Sequence, residues 1–500
     1  MPTEFWAQRS HVQPPRVAFI ILLLAVLLSA SSLALAEIQP SPEACDAAGV
    51  ITLIRVVRTG WQTASVLGSS TSINCGIDVR VDGIVVRTGS TIWNGDYWFL
   101  YVPVVSGSHV RTCMGLSCSD VVPVPTYVPQ PIGPPGFISA HESNLTIKGT
   151  VVQLFGVNEQ TAFIYAMIAS GLWGYPDPNS YWGRNALFPA GPDGRIPGVS
   201  NVDSLWREYF RYFLHYNQVA GDPDNPRTNV LRIWVADDTW FPDGTYLTYK
   251  TYPVAFWNIF DRMAYWADRA GVYLVPVLGH YASDEDHSFF DRQSTHYAHQ
   301  VELVSAIMDR YNWNARIAMW DLWNEPDIGH DAYWASVGGI DGFKAWVGGY
   351  IADVKPHSSN HLVTMGIGGS TTFPGVPPWS WRYHFFYNDI PGLDVSNHHT
   401  YSTAEDQYLI NFETDWHQAL CKPHYESEFG YNLWDPGNNS LGYGYWPWYA
   451  NHTRTAGWPA ISTMVFLNNS KGPYADYPYL GPLPPYPFTF KPYGLEEPMG

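Results

Sequence analysis

From residue 137 onward the chain repeats one pattern: a short apolar run, then a longer stretch with apolar residues every three or four positions. The short runs suit strands buried on both faces, and the 3.6-residue period suits helices that cover them. Strands are predicted at residues 151–157, 230–235, 272–278, 317–323, 362–367, 395–399, 424–429 and 460–467. Helices are predicted at 202–216, 254–270, 297–311, 343–354 and 407–420. In the second of these, Phe256, Ile259, Phe260, Met263 and Trp266 supply the recurring apolar face. Eight strands, mostly separated by helices over residues 137–470, predict an α/β chain folded as a (β/α)8 TIM barrel. A doubly wound sheet is the alternative, but the sequence offers neither a G-x-G-x-x-G turn nor a P-loop to support it.

The chain ahead of this repeat has a different character. Arg9 and Arg16 precede an apolar run at 17–28, and Ala34-Leu35-Ala36 offers a small-x-small cleavage site. These are the parts of a secretory signal peptide, here residues 1–36. The same stretch is about long enough to span a bilayer, so an uncleaved anchor is the alternative. Either way the rest of the chain is delivered outside the cytoplasm, and the expected location is secreted or extracellular. Cysteine usage agrees. Cys45, Cys75, Cys113 and Cys118 cluster near the mature N-terminus, which suggests two disulfides in an oxidising compartment. Three pairings are possible, and Cys45–Cys75 with Cys113–Cys118 is the one expected. A zinc site is the rival, without a His pattern to support it. Cys421 is left over and reads as a buried thiol.

Residues 37–122 alternate short β-type runs, at 50–57, 77–81, 83–86, 97–104 and 109–112, with Gly, Ser, Asn and Asp. That pattern predicts a small all-β sandwich ahead of the barrel. A proline-rich linker at 123–136 would join the two, and a Pro/Tyr-rich tail occupies 471–500.

Composition narrows the partners. There are 27 basic and 45 acidic residues, for a net charge of −18, which excludes the basic face a nucleic-acid binder needs. Charged residues make up 14% and aromatic residues 16%, with 23 Trp and 33 Tyr. Such a chain has either a wide core or a surface that stacks on flat, neutral, hydroxylated ligands such as sugars.

In a (β/α)8 barrel the active residues sit at the carboxyl ends of the strands. The second strand carries Arg232, and the third is followed by His280. The fourth ends in Asn324-Glu325-Pro326, the sixth in His399 with Tyr401 just beyond, and the seventh in Glu428. Two carboxylates on opposite sides of a barrel mouth are what glycosidic bond cleavage needs. One donates a proton to the leaving oxygen, and the other attacks or activates water.

Through W-D-L-W-N-E-P at 320–326, E-F-G at 428–430, F-G-V-N at 155–158 and H-T-Y at 399–401, the chain from about 137 to 469 resembles glycoside hydrolase family 5. That family contains secreted cellulases, β-mannanases and similar retaining endo-β-glycanases. The resemblance implies that Glu325 is the acid/base and Glu428 the nucleophile. It implies that Asn324 binds the sugar 2-hydroxyl, that Arg232 orients Glu428 and that Tyr401 donates a hydrogen bond to it. His280 and His399 would line the subsite of the cleaved sugar. A retaining mechanism would place the two carboxyl groups ~5–5.5 Å apart. No cofactor or metal is implied. The Asp237-Asp238 pair does not match a calcium-loop spacing.

Two features depart from the family pattern. The eighth strand, in I-S-T-M-V-F-L, lacks the Trp that usually forms a sugar platform, so Phe466 or a loop Trp such as Trp240, Trp379, Trp381 or Trp434 would replace it. Glu426 lies two residues before Glu428, so regular strand alternation would aim both to one side and leave Glu426 as an alternative nucleophile or a deeper structural acid. Of His398 and His399 only one can face the mouth. The expected substrate is a neutral β-linked polysaccharide, a β-glucan or β-mannan, cut by a monomer without nucleic-acid or membrane partners, unless the N-terminal segment stays as an anchor. The alternatives are a non-catalytic carbohydrate-binding barrel and a transglycosylase. A serine or zinc hydrolase would need G-x-S-x-G or H-E-x-x-H, and neither occurs.

Overall fold

The computed structural model describes residues 50–58, 62–72, 75–91, 96–126, 134–159, 162–172, 201–207, 209–210, 229–235, 244–280, 287–328, 330–368, 389–400, 418, 420–429 and 460–464. Eight parallel strands dominate the chain after residue 153: β1 (Leu154–Glu159), β2 (Val230–Trp234), β3 (Tyr273–Val277), β4 (Met319–Asn324), β5 (Leu362–Gly366), β6 (Ser396–Thr400), β7 (His424–Phe429) and β8 (Ala460–Met464). Their hydrogen-bonded order is β5-β4-β3-β2-β1-β8-β7-β6, so each strand lies beside its neighbours in sequence. The two end strands also meet. The N–H groups of Asp394 and Val395, just ahead of β6, donate to the Val363 carbonyl of β5 at 3.0 and 3.3 Å. The sheet therefore closes on itself as a (β/α)8 barrel, which removes its edges.

The described helices between these strands include α1 (Ala162–Ala169), α2 (Gly244–Thr251), α3 (Pro253–Ala270), α4 (Thr295–Tyr311), α5 (Asp331–Ser336) and α6 (Ile340–Val354), and residues 202–207 and 209–210 are helical as well. Helix α3 shows why they form where they do. Pro253 opens it with a pre-set φ, and Gly271 ends it at φ 70°, a conformation that favours glycine. Its buried Phe256, Ile259, Phe260, Met263 and Ala267 share one core with Leu231 and Ile233 of β2 and Leu274 of β3. Ser294 caps α4 by accepting from Tyr297 N at 3.0 Å. Because side chains alternate along a strand, Val230 and Arg232 project to the other side of β2, into the barrel.

The floor of the barrel is sealed in a way the sequence pattern did not indicate. Ser139–His141, Asn144–Ile147 and Thr150–Val152 form a three-stranded antiparallel sheet. Its Leu145, with Ile138 beside it, packs against Val230, Val275, Met319 and Tyr425 from the barrel interior. Val151 and Val152, expected to begin the first barrel strand, belong instead to this small sheet. A two-residue turn at Lys148-Gly149, with φ of 51° and 78°, folds the chain back so that Ile147 pairs with Thr150.

Ahead of residue 125 the strands form two further antiparallel sheets. One contains Ile51–Arg58, Thr63–Ser70 and Asp96–Pro103. The other contains Gly76–Val81, Ile84–Ser90, His109–Met114, Ser117–Cys118 and Val122–Pro123. Val56, Val66 and Val102 of the first share a core with Val79, Val81 and Val110 of the second. Val124 joins that core, so the start of the proline-rich stretch is held by these sheets. Cys113 and Cys118 face each other across adjacent strands and form a disulfide. Cys75 is also disulfide-bonded, and its expected partner Cys45 lies outside the described residues. Cys421 is in no disulfide. Residues 1–36 and 471–500 also lie outside the described residues, and no described helix is long and apolar enough to cross a membrane.

Candidate active site

Arg232 organises the upper interior of the barrel. It is fully buried, and its planar fork meets acceptors from three other strands. Nε donates to Asp321 Oδ2 at 2.8 Å, and Nη2 to Asn324 Oδ1 at 2.8 Å, both on β4. Nη1 donates to Asn158 Oδ1 on β1 at 2.9 Å and to Glu428 Oε1 on β7 at 2.6 Å. Burial works against the charge on Arg232, but the carboxylates of Asp321 and Glu428 more than offset it and hold the guanidinium above the usual arginine range. The indole of Trp234 lies beneath the guanidinium, 4.8 Å from its centre. Asp321 is anchored in turn, since its Oδ1 accepts from Gly366 N at 2.9 Å. Asn158 Nδ2 donates to the Ser427 carbonyl at 2.5 Å, which ties β1 to β7.

Glu325 leaves β4 in the left-handed region, at φ 50°, immediately before Pro326. Its N–H donates to the Gly366 carbonyl at 2.7 Å, and its carbonyl accepts from Ile328 N at 3.2 Å to close a turn. Asp327 pins that turn by accepting from Gly368 N at 2.9 Å, and Trp334 does so by donating to the Pro326 carbonyl at 2.9 Å. A non-glycine residue held in this conformation is strained and persists only where its surroundings fix it. The result carries the Glu325 carboxyl over the mouth, where its side chain keeps 24% exposure. Desolvation in this cleft raises its pKa, against the opposing pull of His280 and Arg232, and so favours the protonated form.

His399 lies between the two glutamates. Its Nδ1 is 2.7 Å from Glu325 Oε1 and 3.6 Å from Glu428 Oε2, and its Nε2 is 2.9 Å from Ser427 Oγ. Burial pushes its pKa down to about 4, so the ring is neutral near pH 7. His280 stands at the rim, with Nδ1 3.2 Å from Asn324 Nδ2 and its ring edge-on to Trp234. One oxygen of Glu325, one of Glu428 and a ring nitrogen of His399 all lie within 4.8 Å of one another. These three could in principle surround a cation. The guanidinium against Glu428 and the raised pKa of Glu325 make the set better suited to moving a proton than to holding an ion.

The two glutamates of β7 do not point the same way, contrary to regular alternation. The pairing of β7 with β6 slips between His398 and His399, and its pairing with β8 slips between Glu426 and Phe429. A β-bulge of this kind re-aims a side chain. Ser427 and Glu428 both reach interior partners, Ser427 through His399 and Glu428 through Arg232. Glu426 instead meets His424 Nε2 at 3.2 Å, with His398 Nδ1 at 4.0 Å, away from Arg232.

Of the site residues predicted from sequence, the structure brings together Arg232, His280, Asn324, Glu325, His399 and Glu428. Tyr401, Trp240, Trp379, Trp381, Trp434, Phe466 and the Asp237-Asp238 pair lie outside the described residues. Sequence reasoning missed Asn158, Asp321 and Ser427. An aspartate inside an otherwise apolar strand, as at Asp321, is the one local signal that could have flagged a buried partner for Arg232.

No family model matches the chain, and no curated protein matches it. Solved structures to which it is similar include an endo-1,4-beta-mannanase from Rhizomucor miehei, at 14% identity and a TM-score of 0.45, covering 65% of this chain and 90% of that one. A glycoside hydrolase family 5 mannosidase from the same organism is similar at 11% identity and a TM-score of 0.41, covering 66% and 85%. The catalytic domain of a Thermobifida fusca endoglucanase, in complex with cellotetraose, is similar at 13% identity and a TM-score of 0.40, covering 66% and 84%.

Proposed function

We propose that the chain is a retaining glycoside hydrolase of the family 5 type that cleaves a neutral β-linked polysaccharide, a β-glucan or β-mannan. One observation carries this reading. A carboxyl group whose pKa is raised by burial and a carboxylate paired with a buried arginine have oxygens within 4.8 Å of each other at a barrel mouth. That spacing suits a retaining pair better than the ~6.5–9.5 Å that leaves room for water in an inverting one.

In this reading Glu428 attacks the anomeric carbon while Glu325 gives its proton to the departing glycosidic oxygen. The sugar is then held as an ester of Glu428. Water enters, gives a proton to Glu325 and attacks the same carbon, which returns both groups to their starting state. Arg232 pairs with Glu428 through Nη1 and holds it in place. Asn324, fixed by Arg232 and His280, faces the sugar 2-hydroxyl. A sugar acceptor in place of water would give transglycosylation by the same route.

We further propose that residues 1–36 direct secretion and that the sheets ahead of residue 125 form an accessory β-sandwich module. The test of the main reading is sugar release from a panel of β-glucans and β-mannans by the wild type, Glu325→Gln and Glu428→Gln. Loss in both variants is expected. Equal behaviour of all three proteins refutes an enzymatic barrel.

A further inference from the structure

A chain of hydrogen bonds runs along the barrel wall beneath Glu325, and it has one consistent direction. The Val395 carbonyl, which can only accept, lies 3.0 Å from Thr364 Oγ1, so the single hydroxyl proton of Thr364 points there. Thr364 Oγ1 then accepts from Asn397 Nδ2 at 3.2 Å, which turns Asn397 Oδ1 toward Ser427. Ser427 Oγ donates its only proton to that Oδ1 at 2.5 Å. Toward His399 Nε2, 2.9 Å away, Ser427 Oγ is therefore an acceptor. The proton of the neutral ring sits on Nε2, and the Nδ1 lone pair faces Glu325 Oε1 at 2.7 Å. An ionised carboxylate would repel that lone pair, whereas a protonated carboxyl donates to it. Thr364, Asn397, Ser427 and His399 are all buried, so a reversed link would leave polar atoms of like character facing each other away from bulk water.

We propose that Thr364, Asn397 and Ser427 are positioning residues that fix His399 as its Nε2–H tautomer and thereby keep Glu325 a proton donor in the resting protein. The catalytic consequence rests on the retaining-glycosidase reading. In the first step Glu325 gives its proton to the leaving oxygen, and its new carboxylate faces a lone pair that offers it no proton. It therefore takes one from the incoming water in the second step. Glu325 loses and regains one proton, and His399 keeps its own throughout. The charged and titratable groups facing this pair among the described residues are Arg232, His280, Asp321 and Glu428. Glu428 Oε2, at 3.6 Å from Nδ1, favours a proton on that nitrogen, and the chain ending at Nε2 opposes it.

The full chain labelled with 15N-histidine tests this, with the His399 ring signals identified by their loss in His399→Gln. The wild type is expected to show the neutral Nε2–H tautomer near pH 7. Ser427→Ala removes the acceptor and is expected to move the proton to Nδ1. The alkaline limb of the kcat/KM profile, on whichever glycan is cleaved, then falls by about one pH unit, a tenfold change in the proton affinity of Glu325. Ser427→Thr keeps the hydroxyl and is expected to leave that limb at its wild-type position. A proton on Nδ1 in the wild type overturns the proposal. So does a Ser427→Ala variant whose activity falls equally at every pH with the limb unmoved. If the wild type cleaves no glycan, the enzymatic reading fails, and the ring signals still decide the direction of the chain.

Discussion

Replacing Arg232 with Met probes the centre of the site. The thioether fills much of the same space but removes the cation that pairs with both Asp321, which is fully buried, and Glu428, whose side chain is 5% exposed. Breaking a buried ion pair by removing one partner costs about 3–5 kcal/mol, because the remaining charge stays desolvated. Here two carboxylates are stranded, and Asn158 and Asn324 each lose a donor. The cost should reach the upper end, about 5 kcal/mol, lowering the thermal midpoint by roughly 10 °C. A carboxylate stranded in this way is more easily protonated in the folded than in the unfolded chain. The penalty is therefore small below pH ~4 and grows as pH rises above it. Asp321→Asn in the Arg232→Met background should restore stability, whereas alone it should reduce it, since it then leaves Arg232 short of a partner. Thermal unfolding of the four proteins at pH 4 and pH 8 measures all of this. A penalty below about 1 kcal/mol, or one independent of pH, would refute the reasoning.

Three other outcomes follow from the geometry. A Cβ at Gly366 would lie 2.8 Å from Arg232 Nη2 and 3.0 Å from His399 Nε2. Gly366→Ala should therefore displace the site and cut kcat/KM on the order of 10²-fold, as measured by steady-state hydrolysis. Because the bulge turns Glu426 toward His424, Glu426→Gln should lower the melting temperature while kcat stays within a few-fold of wild type. A loss as complete as that of Glu428→Gln would return Glu426 as the nucleophile. Burial holds His361 and His399 near 4, below the ~6.5 of an unfolded chain, so their stabilising contribution is present above pH ~6.5 and fades as pH falls toward 4. Melting temperature should drop across that window, and His361→Gln should flatten part of the drop.

The elements most legible in the sequence were those whose signal is local. Strands such as Val230–Trp234 and Leu362–Gly366 are dense in apolar or β-forming residues, and α3 carries its period over several turns. Thr63–Ser70 was not legible, because T-A-S-V-L-G-S-S is rich in small polar residues and takes its strand form from its neighbours on either side. The bulge at Glu426–Glu428 has no signature of its own, since it is a property of how β7 pairs with β6 and β8. The site followed the same rule. Glu325 and Arg232 could be placed from strand ends and motifs, but Asn158, Asp321 and Ser427 acquire their roles only when strands far apart in sequence converge.

The anomeric configuration of the first product tests the paired-carboxylate account most directly. Proton NMR of a β-1,4-linked oligosaccharide, recorded in the first minutes of cleavage and before mutarotation, should show the new reducing end in the β configuration. An α product formed first would mean single displacement by water, and Glu428 would not be the nucleophile.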